Sequence, residues 1–334
     1  MKLHECRLCG NTEGNRAYRT RDYMFDRTDE WEYFDCAQCG CLQIAEYPDN
    51  ESEHYPDRYY SLGRLRVPSR NRLVAPLRRW WIGTFLTRKG AFGRLASSIR
   101  PMPHFFVTLK RYGLGLDSNT LDVGCGNGSF LVHLQMAGFS RLAGIDPFIA
   151  EDIHYNPDLT IRKKSLSGTS GTYDVICMIH SFEHMRYPAE VLRMVYERLA
   201  PQGLVYIKIP ILGYAWRRYG TRWANLDAPR HYYLHSTRSI GLILENQGFQ
   251  VVDLVHDSNQ FQFIASERNV ALDERQHHVG GEVPPVLPRP EVRRFRREAR
   301  VLNRDQDGDL VCIVARKAAL GGDRGAGALW SISK

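Results

Sequence analysis

The sequence predicts an α/β protein, a doubly wound Rossmann-like sheet carrying a small N-terminal four-cysteine ribbon. Three observations predict it. Residues 114–256 alternate short apolar runs with longer amphipathic ones, the rhythm of strands joined by helices in a parallel sheet. A glycine-rich turn, Leu121-Asp-Val-Gly-Cys-Gly-Asn-Gly-Ser-Phe130, follows a strand and opens a helix. Two CxxCG units, Cys6-Arg-Leu-Cys9-Gly10 and Cys36-Ala-Gln-Cys39-Gly40, precede it with 26 residues between Cys9 and Cys36.

Composition sets the outer limits. The 334 residues are 43% hydrophobic and 25% charged, which is enough apolar material for a large core. No apolar run reaches the length of a membrane-spanning helix, and the first residues lack the apolar core of a secretion signal. Eight cysteines are too few for a disulfide scaffold in a chain this long. With four of them in CxxC pairs, metal or redox chemistry in a reducing cytosol is the expectation. The net charge of +8 is unevenly placed. The twelve Lys and Arg between Arg64 and Arg111 face no Asp or Glu in that segment, so the remainder sums to −4. Such a distribution predicts a local contact with an anion rather than a polyanion-binding protein.

Four parts follow along the chain. Residues 1–50 are the ribbon. Residues 51–113 are a basic, partly helical linker broken by Pro68, Pro76, Pro101 and Pro103, with Trp80, Trp81, Phe85, Phe92, Phe105 and Phe106 interleaved. Residues 114–317 are the α/β domain. Residues 318–334 are a Gly-rich tail expected to be disordered. Within the domain the strands are 120–124, 142–145, a weak third near 159–162, 173–179 and 204–209. A helix over 188–199 has Val191, Leu192, Val195 and Leu199 on one face. A helix at 237–247 ends at Gly248, a residue suited to the left-handed C-terminal turn, and the strand 249–255 follows. A Pro-rich loop near 283–290, a basic helix near 291–303 and a last strand over 310–315 complete the pattern.

Glycines at 124, 126 and 128 let the backbone pass close to a ligand. The nicotinamide fingerprint needs its third glycine at 129, where Ser129 stands, and no Lys follows as a triphosphate loop requires. Asp146 ends the next strand, 22 residues after Gly124, where a carboxylate can accept both ribose hydroxyls of a nucleoside. On these residues the chain resembles the class I S-adenosylmethionine-dependent methyltransferases over roughly 115–256. The resemblance implies a Rossmann-like domain with S-adenosylmethionine held by Asp122, Gly124, Gly126, Gly128 and Asp146. His180, at the exit of the fourth strand, is expected on the cofactor side. Many relatives place an acid after the third strand. Here the stretch reads Arg162-Lys-Lys-Ser-Leu-Ser167, which leaves the adenine contact unassigned, a backbone amide being the alternative.

Two CxxC knuckles make a tetrahedral site with no open position, so Cys6, Cys9, Cys36 and Cys39 are expected to bind structural zinc, with Cys41 a spare thiol beside them. The ribbon, together with segments such as Asn225-Leu-Asp-Ala-Pro-Arg-His231, is similar to that of zinc-ribbon methyltransferases from bacterial surface-polysaccharide and sugar pathways. That resemblance implies a sugar or glycan intermediate, or another small hydroxyl- or amine-bearing metabolite, as acceptor.

In doubly wound sheets ligands sit beyond the C-terminal ends of the strands. The fourth strand exits into His180-Ser-Phe-Glu183-His184. The fifth exits into an aromatic loop with Tyr214, Trp216, Tyr219, Trp223, Asp227, Arg230, His231, Tyr232 and Tyr233. Both strands are expected to flank the first. A hydroxyl acceptor must be positioned and lose a proton, a task that suits histidine near neutral pH. His231 is the first candidate base and His184 the second, with packing or positioning the competing role for each. The aromatic rings either stack on sugars or pack on one another.

The basic segment fits three roles: a scaffold joining ribbon to domain, a peripheral contact with an anionic acceptor at the inner membrane face, or an RNA grip. No Asn/Asp-Pro-Pro-aromatic tetrad of base-amino methylation is present, which disfavours nucleic acid. An RNA methyltransferase and a non-catalytic cofactor-binding scaffold are the alternatives to the small-molecule enzyme. The intact glycine loop and Asp146 favour catalysis. The expected location is the cytoplasm.

Overall fold

The computed structural model describes residues 4–55, 65, 69–87, 102–276 and 287–318. The expected disordered tail from 319, much of the basic linker and the centre of the Pro-rich loop lie outside the described residues.

An eight-stranded mixed sheet forms the body, in the order β11-β12-β9-β8-β4-β5-β7-β6. Its parallel centre comprises β4 (Thr120–Val123), β5 (Leu142–Ile145), β7 (Leu159–Arg162), β8 (Tyr173–Ile179) and β9 (Leu199–Pro210). One edge is closed by antiparallel β11 (Phe249–His256) and β12 (Leu310–Lys317), the other by β6 (Ile153–Asn156). The sequence expectation that both the fourth and fifth strands flank the first needs correction. β8 pairs with β4, and β9 pairs with β8 one position further out.

Alternation along the buried strands builds two apolar layers. On β9, Val205, Ile207 and Ile209 face one layer while Leu204 and Tyr206 face the other. The first layer is covered by α4 (Pro188–Arg198) through Leu192 and Val195, and by α6 (Thr237–Asn246) through Ile240, Ile243 and Leu244. Gly248, at φ +80°, turns the chain from α6 into β11. The second layer is covered by α1 (Ser69–Thr87), α2 (His104–Arg111) and α3 (Ser129–Met136). Ile82, Phe85, Phe105, Phe106 and Leu109 are buried there. The aromatics among the described linker arginines therefore serve largely as core, the scaffold role.

The N-terminal ribbon is a second sheet, β1 (Arg16–Arg21), β2 (Glu30–Asp35) and β3 (Leu42–Ile44), and its fourth strand comes from the domain. β10 (Tyr233–Leu234) pairs antiparallel with β3, Tyr233 opposite Gln43 and Leu234 opposite Leu42. One apolar cluster unites Tyr33, Leu42 and Ile44 with Trp223, Leu226, Tyr232, Phe263 and Phe295. Phe263 lies on α7 (Phe261–Gln276) and Phe295 on α8 (Arg289–Arg304), with their rings stacked at 4.8 Å. Ribbon and domain thus share a core.

Candidate functional site

The glycine loop leaves β4 and enters α3 through three left-handed residues, Gly124, Gly126 and Gly128, at φ +70°, +53° and +72°. A Cβ on Gly124 would stand 2.6 Å from that of Ser181, so the exits of β4 and β8 meet there and admit no side chain. Ser181 Oγ donates to Val123 O at 2.7 Å and locks the junction. Asp146 closes the loop: Gly126 N–H and Phe148 N–H each donate to one of its carboxylate oxygens at 2.8 Å. Burial raises its pKa against those bonds. Each oxygen keeps a lone pair for a further donor. Asp122 is buried beneath the loop, its Oδ1 has no hydrogen-bond partner among the described residues, and burial followed by the Asp146 charge pushes its pKa well up. A nucleoside with a charged amino-acid arm fits this set: hydroxyls for Asp146, a backbone cradle at the glycines, and donors for Asp122.

All of these but Gly128 line one large cavity of about 1210 Å³; Gly128 packs instead on the core, where a Cβ would run into Ile161 Cδ1. That exceeds the usual size of a single small-ligand site and suits two ligands side by side. Lys164, Ser165, Leu166 and Ser167, after β7, form part of its wall. His180 also lines it, in a left-handed conformation at φ +53°, with Nδ1 3.7 Å from Glu183 Oε1.

The same cavity brings Glu183, His184 and His231 together. The ring centroids of His184 and His231 are 4.6 Å apart, edge to face. His184 Nδ1 donates to Arg230 O at 2.9 Å, and His231 Nδ1 donates to Asn225 O at 2.7 Å. Each backbone carbonyl accepts from Nδ1–H, which leaves Nε2 as the other ring nitrogen of each, that of His231 lying 3.8 Å from Asp227 Oδ2. Burial, then the neighbouring His231, lowers the pKa of His184 to about 4, which keeps it neutral. Glu183 is fully buried and neither carboxylate oxygen has a hydrogen-bond partner among the described residues. Burial opposes its ionisation, but the surrounding His180, His184 and His231 outweigh this and hold its pKa below the ordinary value.

The ribbon supports this cluster from below, through contacts between residues far apart in sequence. Arg230 has a fully buried side chain and makes two bonds to Asp22 at 2.7 and 2.9 Å and two to Asp227 at 2.6 and 3.0 Å. Tyr33 Oη donates to His231 O at 2.8 Å, and Tyr55 Oη lies 3.1 Å from His184 Nδ1. Thr20, Arg21, Tyr23 and Met24, from the end of β1, line the cavity beside Asn225 and Leu226.

Most rings of the aromatic loop are occupied with packing. Trp216 packs edge-on against Tyr18, Tyr232 against Tyr47, and Tyr214 against Phe263. Of the tryptophans and tyrosines in this loop only Trp223 borders the cavity, and it donates from Nε1 to Asp309 at 2.9 Å.

In the ribbon, Cys6 Sγ lies 3.6 Å from Cys39 Sγ and Cys9 Sγ 3.5 Å from Cys36 Sγ. Tetrahedral zinc with bonds of about 2.3 Å places its sulfurs about 3.8 Å apart, so the set fits the ion with small adjustment. Gly10 and Gly40 turn the knuckles at φ +73° and +70°. Gln43 Nε2 donates to Cys6 Sγ at 2.8 Å, and the bonds converging on Cys6, that from Cys39 foremost, bring its pKa down to about 4. Cys41 is buried and its thiol is pushed well up by desolvation.

Sequence reasoning did not single out Asp22, Tyr33 and Tyr55 as site residues, and read Glu183 only together with His184, as a pair supporting structure or the methionine end of the cofactor. The only signal for Glu183 was its place beside His184 at a strand exit.

Residues 94–254 match a protein family described as a methyltransferase domain. A ubiquinone biosynthesis O-methyltransferase of Rickettsia bellii (strain OSU 85-389) is 24% identical over 215 residues, covering 58% of this chain and 87% of that protein. Among solved structures, a SAM-dependent methyltransferase from Archaeoglobus fulgidus aligns with TM-score 0.38 and 17% identity, over 64% of this chain and all of that one. The Burkholderia thailandensis 1,6-didemethyltoxoflavin-N1-methyltransferase, solved with S-adenosylhomocysteine, aligns with TM-score 0.39 and 15% identity, over 77% and 94%.

Proposed function

We propose that this S-adenosylmethionine-dependent methyltransferase methylates a hydroxyl group of a small-molecule acceptor, which loses its proton at the Glu183, His184 and His231 cluster. One observation carries the proposal: both histidines keep Nδ1 on a backbone carbonyl, which leaves Nε2 as the nitrogen available to an acceptor, in the cavity that also contains the glycine loop and Asp146.

Asp122, Gly124, Gly126, Gly128, Asp146 and His180 are the residues that would hold the cofactor. S-adenosylmethionine supplies an electrophilic methyl group on a sulfonium sulfur. Asp146, fixed by two backbone N–H groups, presents its remaining lone pairs to the ribose hydroxyls. His231 Nε2 is the first proton acceptor for the bound hydroxyl, and its role is supported by its short bond to Asn225 O and by Arg230 one residue before it. His184 orients the acceptor beside it. Zinc in the four-cysteine site is structural: four sulfurs close its coordination and the ribbon's fourth strand carries the acceptor loop.

A sugar or glycan intermediate is the acceptor class that the N-terminal ribbon suggests. A phenolic ring is the second reading, favoured by the apolar residues Met24, Phe148, Leu226 and Phe261 in the cavity wall and by the name of the Rickettsia relative. Exposed Leu77 and Trp80 on α1 favour a surface contact for the basic segment over an RNA groove. No described helix is long and apolar enough to cross a membrane.

The test is a screen for S-adenosylhomocysteine release with nucleotide sugars, lipid-linked glycans and hydroxylated aromatics. Turnover with at least one class, lost on the order of 10²-fold or more in His231→Ala while cofactor affinity is kept, is the expected result. Full turnover in His231→Ala would overturn the role given to the cluster.

A further inference from the structure

The inward face of α7 is polar. Gln262, Ser266 and Asn269, spaced four and three residues apart, share one side of the helix, and all are buried. Two of the three have partners in the loop that leads to His231. Ser266 Oγ accepts the Ala224 N–H at 3.0 Å, and Asn269 Nδ2 donates to Arg222 O at 3.1 Å. Gln262 differs. It is 1% exposed, yet neither Oε1 nor Nε2 has a hydrogen-bond partner among the described residues. Ser266 Oγ donates to its main-chain oxygen, at 2.5 Å, and not to its amide. Burying an amide without hydrogen bonds is costly, and native proteins keep such a group where something else satisfies it.

Gln262 lines the cavity together with Trp223, Asn225 and His231. The polar groups of that loop are already engaged. Trp223 Nε1 and Asn225 Nδ2 both donate to Asp309, and Asn225 O accepts from His231 Nδ1. The Gln262 amide is left for a ligand. It presents an acceptor oxygen and a donor N–H side by side. A group that satisfies both at once must itself offer a donor beside an acceptor. Two neighbouring hydroxyls do so: one donates to Oε1 while the oxygen of the other accepts from Nε2–H. A ring with a single hydroxyl satisfies only one of the two atoms.

We propose that Gln262 is a specificity-determining residue that binds a vicinal diol of the acceptor. The proposal rests on the functional reading above and narrows its acceptor class: a sugar ring or a catechol supplies the pair of hydroxyls, and a monohydroxylated ring does not. Gln262 takes no part in proton transfer, which stays with His231. It selects by what a wrong acceptor leaves behind. A site made to hydrogen-bond a substrate hydroxyl rejects an analogue that lacks it, because the buried polar group then stays unpaired. Without the diol, the amide is a cost to the fold rather than a support for it.

The experiment loads the protein with S-adenosylhomocysteine and titrates it with cis-1,2-cyclohexanediol and with catechol. Each diol is set against its monohydroxyl counterpart, cyclohexanol or phenol, and binding is followed by saturation-transfer NMR. At least one diol should bind roughly fivefold or more tightly than its counterpart, the gain expected of one added hydrogen bond. Preference for the cyclohexane diol points to a sugar, and preference for catechol to an aromatic acceptor. Gln262→Met, of similar length but without the amide, should abolish the preference and keep the affinity for S-adenosylhomocysteine. It should also resist urea as well as the wild type or better. Neither diol preferred by the wild type, a preference retained in Gln262→Met, or a Met variant of lower stability would each overturn the role of Gln262. A wild type that binds no S-adenosylhomocysteine would instead overturn the functional reading beneath it.

Discussion

Arg230 and Asp22 form a buried, two-point ion pair across 208 residues of sequence, joining the end of the ribbon's first strand to the loop that carries His231. Neither side chain is more than 1% exposed. Asp227 completes the guanidinium's partners and burial alone would lower the Arg230 pKa, but the two carboxylates raise it. A fully desolvated charge of this kind tolerates its surroundings only while its partners stay.

Asp22→Asn should therefore destabilise the protein by about 3 kcal/mol, as measured by urea denaturation, since it removes one partner of a buried charge. Turnover should fall more than cofactor affinity, because Arg230 is adjacent to His231 while the glycine loop is on another strand exit. A variant as stable and as active as the wild type would show that the pair is dispensable.

Elemental analysis should find zinc in the ribbon, lost from Cys6→Ser and Cys39→Ser. Because β3 pairs with β10 and the ribbon shares its core with Trp223 and Tyr232, these variants should lose turnover as well as stability. A zinc-free preparation of undiminished stability would contradict this.

His235 gives the stability a pH dependence. It is fully buried, stacked on Phe182 and Tyr233, and burial lowers its pKa from 6.5 to about 4. The folded state thus holds fewer protons than the unfolded state between these values, so stability falls as pH drops from about 6.5 towards 4. The full effect is about 3 kcal/mol. His235→Phe should flatten this slope in denaturation curves taken at about pH 7 and pH 4.5. An unchanged slope would mean that the group does not titrate as its burial implies.

Much of this was legible in the sequence. The strands of the parallel sheet are continuous apolar runs such as Val175 to Met178, and the glycine loop, Asp146 and the CxxC pairs are local patterns whose spacing carries their chemistry. The edge strand β6 and helix α7 were not singled out. α7 buries Gln262, Ser266 and Asn269, and Ser266 Oγ accepts the Ala224 N–H while Asn269 donates to Arg222 O, so its inward face lacks an apolar stripe. Whether the aromatic loop stacks on a ligand or packs on protein stayed open because nothing in its own sequence shows that Tyr18 and Tyr47 of the ribbon pack against it. Glu183 and Asp22 were equally hidden: what makes each important is a partner far away in sequence, or the absence of any.

Binding calorimetry with S-adenosylmethionine tests the central claim most directly, that Asp146 and the glycine loop form the cofactor half of the cavity. The wild type should bind one equivalent, and Asp146→Ala should weaken binding by about 1.5–3 kcal/mol per lost charge-assisted bond, roughly tenfold or more. A folded wild type that binds no cofactor, or an Asp146→Ala variant with unchanged affinity, would contradict it.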